Sequence, residues 1–347
     1  MEYPLVTVLM PVYNCELYIS DAVKSILNQT YTNFEFLIID DASTDQTTIL
    51  IKEIEDPRIK LIEKSNNSGY TQSLNYGLSI AKGDYIARMD GDDIADQERL
   101  AKQVDFLESY PDVVVCGTNF KFIGTNKVKV MPESHEDIKT VLLQQTCFAH
   151  PTVMLRKAVL DRHNIHYDLS SEPAEDYELW VRLLNFGKLH NIQEVLLHYR
   201  IHDEQVSVIR RSTQLKSKLN TRLKVLRYVD TDFSVAEEEV LKMALTKKTD
   251  SAESLANFID VKNRLLLKNE TQNFFDPKAF GNYFNELERD MVVNYFLKQD
   301  YFYPKLYWDY MKLKKRLDFK LPLKTEFIIF IKSMLCLKNK TSGNESE

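Results

Sequence analysis

An α/β fold in two units is predicted by three features of this chain. Strand-like and helix-like runs alternate through its first half, the short apolar runs end in acidic residues, and beyond about Arg211 long charged helical patterns replace the alternation. Such alternation predicts a mostly parallel, Rossmann-like sheet flanked by helices. At 347 residues the chain exceeds the size at which one core keeps growing. We therefore expect an α/β unit over residues 1–212 and a mainly helical extension over 213–347.

The elements follow in order. Leu5 to Val12 reads as a buried strand, and the next helix carries Ala22, Val23, Ile26 and Leu27 at helical spacing, with Asn14 a candidate cap. A second strand, Phe34 to Ile39, ends in Asp40-Asp41. Ser43-Thr44-Asp45 then offers caps for a helix to about Ile54, and Ile59 to Glu63 is a third strand. After Asn66-Asn67-Ser68-Gly69 a helix carries Leu74, Leu78 and Ala81. The fourth strand, Tyr85 to Met89, delivers Asp90, Asp92 and Asp93 onto a loop. Gln97 to Tyr110 and Glu175 to Phe186 read as helices, Val113 to Gly117 as a strand, and Phe120 to Met131 as a hairpin-like excursion.

Three carboxylates within four residues repel one another unless a cation or a hydrogen-bond network neutralises them, and oxygen-only ligation suits Mg2+ or Mn2+. Ligands of open α/β sheets bind at the carboxyl ends of strands, so the acidic pair at Asp40-Asp41 and the cluster at Asp90 to Asp93 are expected to share a crevice. The turn Pro11-Val12-Tyr13-Asn14-Cys15-Glu16 has no glycine, which argues against a dinucleotide site, and no Gly-Lys-Ser/Thr phosphate loop is present. A net charge of -6 argues against a nucleic-acid partner. Cys15, Cys116, Cys147 and Cys336 lie far apart, which fits a reducing cytoplasmic compartment rather than a zinc site or disulfide framework. Neither a signal peptide nor a membrane-spanning apolar stretch is expected.

The segments Val8-Leu9-Met10-Pro11-Val12-Tyr13-Asn14, Ser25-Ile26-Leu27-Asn28-Gln29-Thr30, Ile38-Ile39-Asp40-Asp41-Ala42-Ser43-Thr44-Asp45 and Met89-Asp90-Gly91-Asp92-Asp93 occur in order. Together they resemble family-2 glycosyltransferases with the GT-A fold. Downstream, His150-Pro151-Thr152-Val153-Met154, Glu175-Asp176-Tyr177-Glu178-Leu179-Trp180 and Tyr199-Arg200-Ile201-His202 are similar to a bacterial subgroup that extends surface polysaccharide or lipooligosaccharide chains.

The resemblance implies a set of roles. Asp41 would accept a hydrogen bond from the uracil N–H, with Pro11, Tyr13, Asn14, Asn75 and Asp90 completing the nucleotide-sugar set. Asp92 would be the direct metal ligand, with Asp90 near the ribose or a metal-bound water, and His202 approaching the metal or diphosphate. Asp176 would be the general base of an inverting displacement, with Asp93, Glu175 and His150 on the acceptor side. For Asn14, Asp45 and the Glu175-Asp176 pair, helix capping competes with these roles; for His202 and Trp180 a structural place in the fold does. The implied activity moves a sugar from a UDP-sugar donor to a hydroxyl of a growing glycan or lipid-linked saccharide, assisted by a divalent metal. Sugar-phosphate nucleotidyl transfer and a non-catalytic glycan-binding role are the alternatives. The absent basic glycine-rich loop speaks against the first, and intact Asp41, Asp90, Asp92 and Asp176 against the second.

The segments Phe302 to Trp308, Lys312 to Arg316 and Phe327 to Lys332 make a basic, aromatic-rich tail on an acidic protein. Two readings stand: attachment to the anionic inner face of the plasma membrane, or burial of these aromatics in a helical subdomain or oligomer contact.

Overall fold

The computed structural model describes residues 3–202 and 211–338, and the chain divides into two compact units, Met1–Thr221 and Arg222–Glu347. The segment 203–210, beside the boundary expected at 212, lies outside the described residues.

The first unit is built on a sheet of nine strands among the described residues. These are β1 (Val6–Val12), β2 (Phe34–Asp40), β3 (Ile59–Glu63), β4 (Tyr85–Arg88), β5 (Ile94–Ala95), β6 (Val113–Phe122), β7 (Val128–Lys129), β8 (Met154–Arg156) and β9 (Lys188–Tyr199). Their order is β3-β2-β1-β4-β8-β6-β9-β5, with β7 on β6. The helices between them are α1 (Ile19–Leu27), α2 (Thr47–Lys52), α3 (Tyr70–Ile80), α4 (Arg99–Ser109), α5 (His135–Leu142), α6 (Lys157–Arg162) and α7 (Glu175–Leu183). Every residue of β1, β2 and β4 is buried, which is why these strands read as unbroken apolar runs.

The sheet is mixed, a correction to the mostly parallel expectation. β1 pairs in parallel with β2 and β4, and β2 with β3. Beyond β4 the short β8 runs antiparallel to both β4 and β6, and only β6 with β9 restores a parallel pair. Parallel pairing needs a long crossover after each strand, whereas β8 arrives from the opposite end of the sheet after a 3-10 turn at His150–Thr152. β9 escapes sequence reading because shifts in its register with β6 break the period-two pattern.

Asn14 does not cap α1, another correction. The helix starts five residues later, behind Tyr18, and Asn14 sits at φ 51°, where Asn is tolerated. Its Oδ1 accepts from Thr44 N at 2.8 Å and its backbone N–H donates to Ser43 Oγ at 2.9 Å, so it ties the loop after β1 to the loop after β2. Asp45 belongs to the same tie, accepting from Thr47 N at 2.9 Å and from Glu16 N at 3.0 Å.

α8 (Arg211–Leu226) is followed in the second unit by α9 (Val235–Leu245), α10 (Ala252–Gln272), α11 (Pro277–Leu297), α12 (Pro304–Leu313) and α13 (Leu323–Met334). Side-chain caps at Ser234, Ser251 and Asp276 begin α9 to α11, and Pro277 takes the first turn of α11, where its missing N–H costs nothing. The core of this unit is aromatic: Phe258, Phe275, Phe280, Phe284 and Phe296 are buried, and Phe275 stacks on Phe280 at 4.8 Å. Among the described residues no helix is long and apolar enough to cross a membrane.

Candidate functional site

The register of the parallel strands sets three loops side by side. Val12 pairs with Asp40 and Leu9 with Arg88, and Asp41 N–H and Met89 N–H donate back to β1 at Val12 O (2.9 Å) and Leu9 O (3.0 Å). The carboxyl ends of β1, β2 and β4 therefore open together. Gly91 suits this closeness, since a Cβ there would lie 3.0 Å from Val12 Cγ1 and 3.3 Å from Cys15 Sγ and would press on both.

On the β1 and β2 side, Pro11 is buried opposite Ile39, while Tyr13 is exposed at the strand end. Asp41 is buried and accepts from Ser68 N at 3.1 Å, Gly69 N at 2.8 Å and Lys64 Nζ at 2.5 Å. Burial alone would raise its carboxyl, but Lys64 and the two backbone N–H groups outweigh it and hold the pKa below the usual range. Asp41 thus orders the turn into α3, where Gly69 adopts φ 93°, a conformation glycine reaches without strain. Asn75 on α3 pairs its amide with both backbone groups of Tyr167, at 2.9 and 2.8 Å, and so holds the segment leading toward α7.

On the β4 side, Asp90, Asp92 and Asp93 each present a carboxylate oxygen, all within 4.8 Å of one another. The structure sets Asp93 inside this cluster, 1 % exposed, rather than on an open acceptor-facing surface. Its Oδ1 accepts from Arg200 N at 2.8 Å, and its Oδ2 is buried with no hydrogen-bond partner. Burial and the neighbouring Asp90 and Asp92 charges push the Asp93 carboxyl well up; burial likewise raises Asp90, against the pull of Arg88. His202 joins the group through Nε2 to Asp92 Oδ2 at 2.8 Å, and its ring packs 5.2 Å from Tyr18. A buried carboxylate oxygen without a donor, beside two more carboxylates and an imidazole, is a donor set that fits a hard divalent cation.

Arg88 is the residue sequence reading missed. It lies in β4, 5 % exposed, and pairs with Asp90. Its charge also acts on Asp93, His150, Tyr167 and Asp176, so one buried guanidinium serves both groups of carboxylates. The signal was present: a cation inside an apolar strand needs a buried partner.

The remaining residues converge on α7. Ala174 is its N-cap position and makes no side-chain cap, so Glu175 and Asp176 occupy the first turn, where the helix dipole favours them without either acting as the cap. Glu175 is 2 % exposed beside Tyr70, with Oε2 lacking a hydrogen-bond partner; burial and then Asp176 raise its pKa to about 7. Burial raises Asp176 too, against the backbone N–H of Tyr177, Lys218, Arg88 and Thr146. His150 Nε2 lies 2.8 Å from the Tyr167 hydroxyl, and burial together with Arg88 holds the imidazole neutral, well below its ordinary pKa. Trp180 is fully buried, its ring 5.2 Å from Phe148 and 5.9 Å from His150, so it packs the core and presents no face to a sugar. Burial pushes the Cys15 thiol up to about 12, which disfavours a reactive thiolate.

Comparison with known proteins supplies the family and the fold. Residues 7–164 match the family model described as glycosyl transferase family 2. A glycosyltransferase of Haemophilus influenzae is 37 % identical over 220 residues, covering 59 % of this chain and 68 % of that relative. The Escherichia coli UDP-Glc:alpha-D-GlcNAc-diphosphoundecaprenol beta-1,3-glucosyltransferase WfaP is 34 % identical over 224 residues, covering 61 % and 86 %. Among solved structures, S. aureus TarS in complex with UDP superposes with TM-score 0.55 at 18 % identity over 90 % of this chain and 88 % of that one. The mannosyltransferase PcManGT of Pyrobaculum calidifontis, in complex with GDP-Man and Mn2+, gives 0.52 at 16 % identity over 86 % and 89 %. These likenesses show the GT-A fold. With the acidic strand ends, the matched family model and relatives covered over most of their length, the chain belongs to glycosyl transferase family 2.

Proposed function

We propose that this chain moves a sugar from a UDP-sugar to a hydroxyl of a growing, lipid-linked surface glycan, with inversion and with help from a divalent cation. The observation that carries the reading is the Asp90, Asp92 and Asp93 cluster at the open end of the parallel strands, with the buried Asp93 Oδ2 left without a donor. Support for donor and acceptor comes from WfaP, named for a UDP-Glc donor and a diphosphoundecaprenol-linked acceptor, from the O-antigen biosynthesis glycosyltransferase WbnJ, 33 % identical over 211 residues, and from TarS solved with UDP-GlcNAc.

In this reading Tyr13 and the Asn14–Thr44 tie frame the nucleotide, and Asp41 accepts from the uracil N–H while ordering the turn into α3. Asp92 and Asp90 would hold Mn2+ or Mg2+, with His202 adjoining; a bound cation supplies positive charge to the departing diphosphate. Asp176 takes the proton from the acceptor hydroxyl as that oxygen bonds to the anomeric carbon and the bond to the diphosphate breaks. Glu175 and neutral His150 stand on the acceptor side, and a base with a raised pKa is the better proton acceptor near neutrality.

Purified protein incubated with UDP-glucose, UDP-galactose and UDP-GlcNAc, with Mn2+ or Mg2+ and a lipid-linked saccharide, should release UDP with one donor. Asp92→Ala should lose that release by on the order of 100-fold or more, along with its response to the cation. Wild-type turnover and metal response in Asp92→Ala would remove the cation from the mechanism. Release with none of the donors would remove the donor class.

A further inference from the structure

We infer that the second unit carries a surface for an anionic lipid bilayer, formed by the outer faces of α12 and α13. The structure divides the tail aromatics in a way the sequence left open. Phe302, Leu306, Tyr310, Leu313 and Ile329 are buried and complete the core of the unit. Leu323, Phe327 and Phe330 recur at helical spacing on the opposite side of α13, with Leu323 84 % and Phe327 62 % exposed, and Ile328 and Leu335 widen this face. α12 extends it through Trp308, 59 % exposed, and Met311, and the Tyr307 ring meets Phe330 at 5.0 Å, joining the two helices into one apolar surface. Exposed aromatic and aliphatic side chains gathered on two joined helices mark an interaction site.

Charge selects the occupant. Between residues 301 and 338 stand nine Lys and Arg against three Asp and Glu, on a chain whose net charge is -6. Two of those three carboxylates are already paired, Glu326 with Lys314 and Asp318 with buried Lys262. Lys312, Lys315 and Lys324 are exposed and have no carboxylate partner among the described residues. Two copies meeting through this face would set like charges against one another, whereas anionic headgroups neutralise the lysines as the aromatic and aliphatic side chains enter the interface. Among the described residues no helix is long and apolar enough to cross a membrane, and the inferred contact is a peripheral one. The inference goes beyond the transfer reading and does not depend on it, because binding is scored without substrate.

Flotation of the full-length protein with vesicles of phosphatidylglycerol mixed with phosphatidylcholine, at low salt, tests it. The protein should float with these vesicles and not with pure phosphatidylcholine. Leu323→Glu with Phe327→Glu should abolish flotation, and Lys315→Gln with Lys324→Gln should weaken binding roughly 30-fold, each lysine contributing about 1 kcal/mol. All four side chains are exposed, so the melting temperature of both variants should match wild type. Wild-type protein that stays unbound at low salt overturns the inference. So does sedimentation showing self-association that Leu323→Glu with Phe327→Glu dissolves while vesicles remain bare, since the face would then bind a second copy.

Discussion

Buried charge is handled in opposite ways in the two units. In the second, Lys262 and Glu288 are wholly inaccessible, yet Lys262 is met by Glu288 and Asp318, with Asn285 Oδ1 at 3.5 Å, and Glu288 Oε1 also accepts from Asp318 N at 3.2 Å. In the first, Asp93 and Glu175 are as deeply placed, but each keeps an oxygen without a donor, and both carboxyls are pushed up rather than down. A paired cluster stabilises a fold; a carboxylate short of donors costs stability and is retained where a ligand or a proton completes it.

The largest test of that contrast is Asp176→Asn. It keeps the shape and removes the base, so turnover should fall by roughly 10³ to 10⁴-fold with UDP-sugar affinity nearly unchanged in a titration of the donor. An equal loss of donor affinity would make Asp176 a structural residue. Next is Lys262→Met, which strands Glu288 in the interior and should lower folding stability by about 3–5 kcal/mol in chemical denaturation. Adding Glu288→Leu should recover most of that; if the double variant were as unstable as the single one, packing rather than charge balance would govern the cluster.

Glu175→Gln is the smallest effect and is read in stability against pH. With a folded pKa of about 7 against an ordinary 4.5, native Glu175 binds its proton more tightly than the unfolded chain does, so wild-type stability falls as pH rises through that window. The Gln variant escapes this and should be more stable by about 1–3 kcal/mol at pH above about 7, with the gain vanishing below about 4.5. A stability gain equal at both ends of the range would mean that Glu175 is not the group that titrates.

Legibility followed the sheet. β1, β2 and β4 are buried throughout, so their apolar runs marked them, and the acidic residues closing β2 and β4 marked the open end. β8 and β9 were hidden because one has three residues and the other is bulged. Asn75 entered as a nucleotide contact by resemblance, yet its amide holds Tyr167, 92 residues away. Arg88 looked like an ordinary strand residue until its partners, scattered from Asp90 to Asp176, were assembled around it. In the tail, composition could not say which aromatics face inward; the packing of α12 and α13 sorted Tyr310 from Phe327.

Local chemistry therefore settled what one stretch of chain can settle: the alternation of elements, the acidic loop at Asp90 to Asp93, and the dipole-favoured pair at the start of α7. Which carboxylates share a field, which are left without donors, and which apolar side chains remain outside were decided only by the tertiary structure. Desolvation and pairing depend on neighbours distant in sequence, and their energies fall off over a few ångströms of space rather than along the chain.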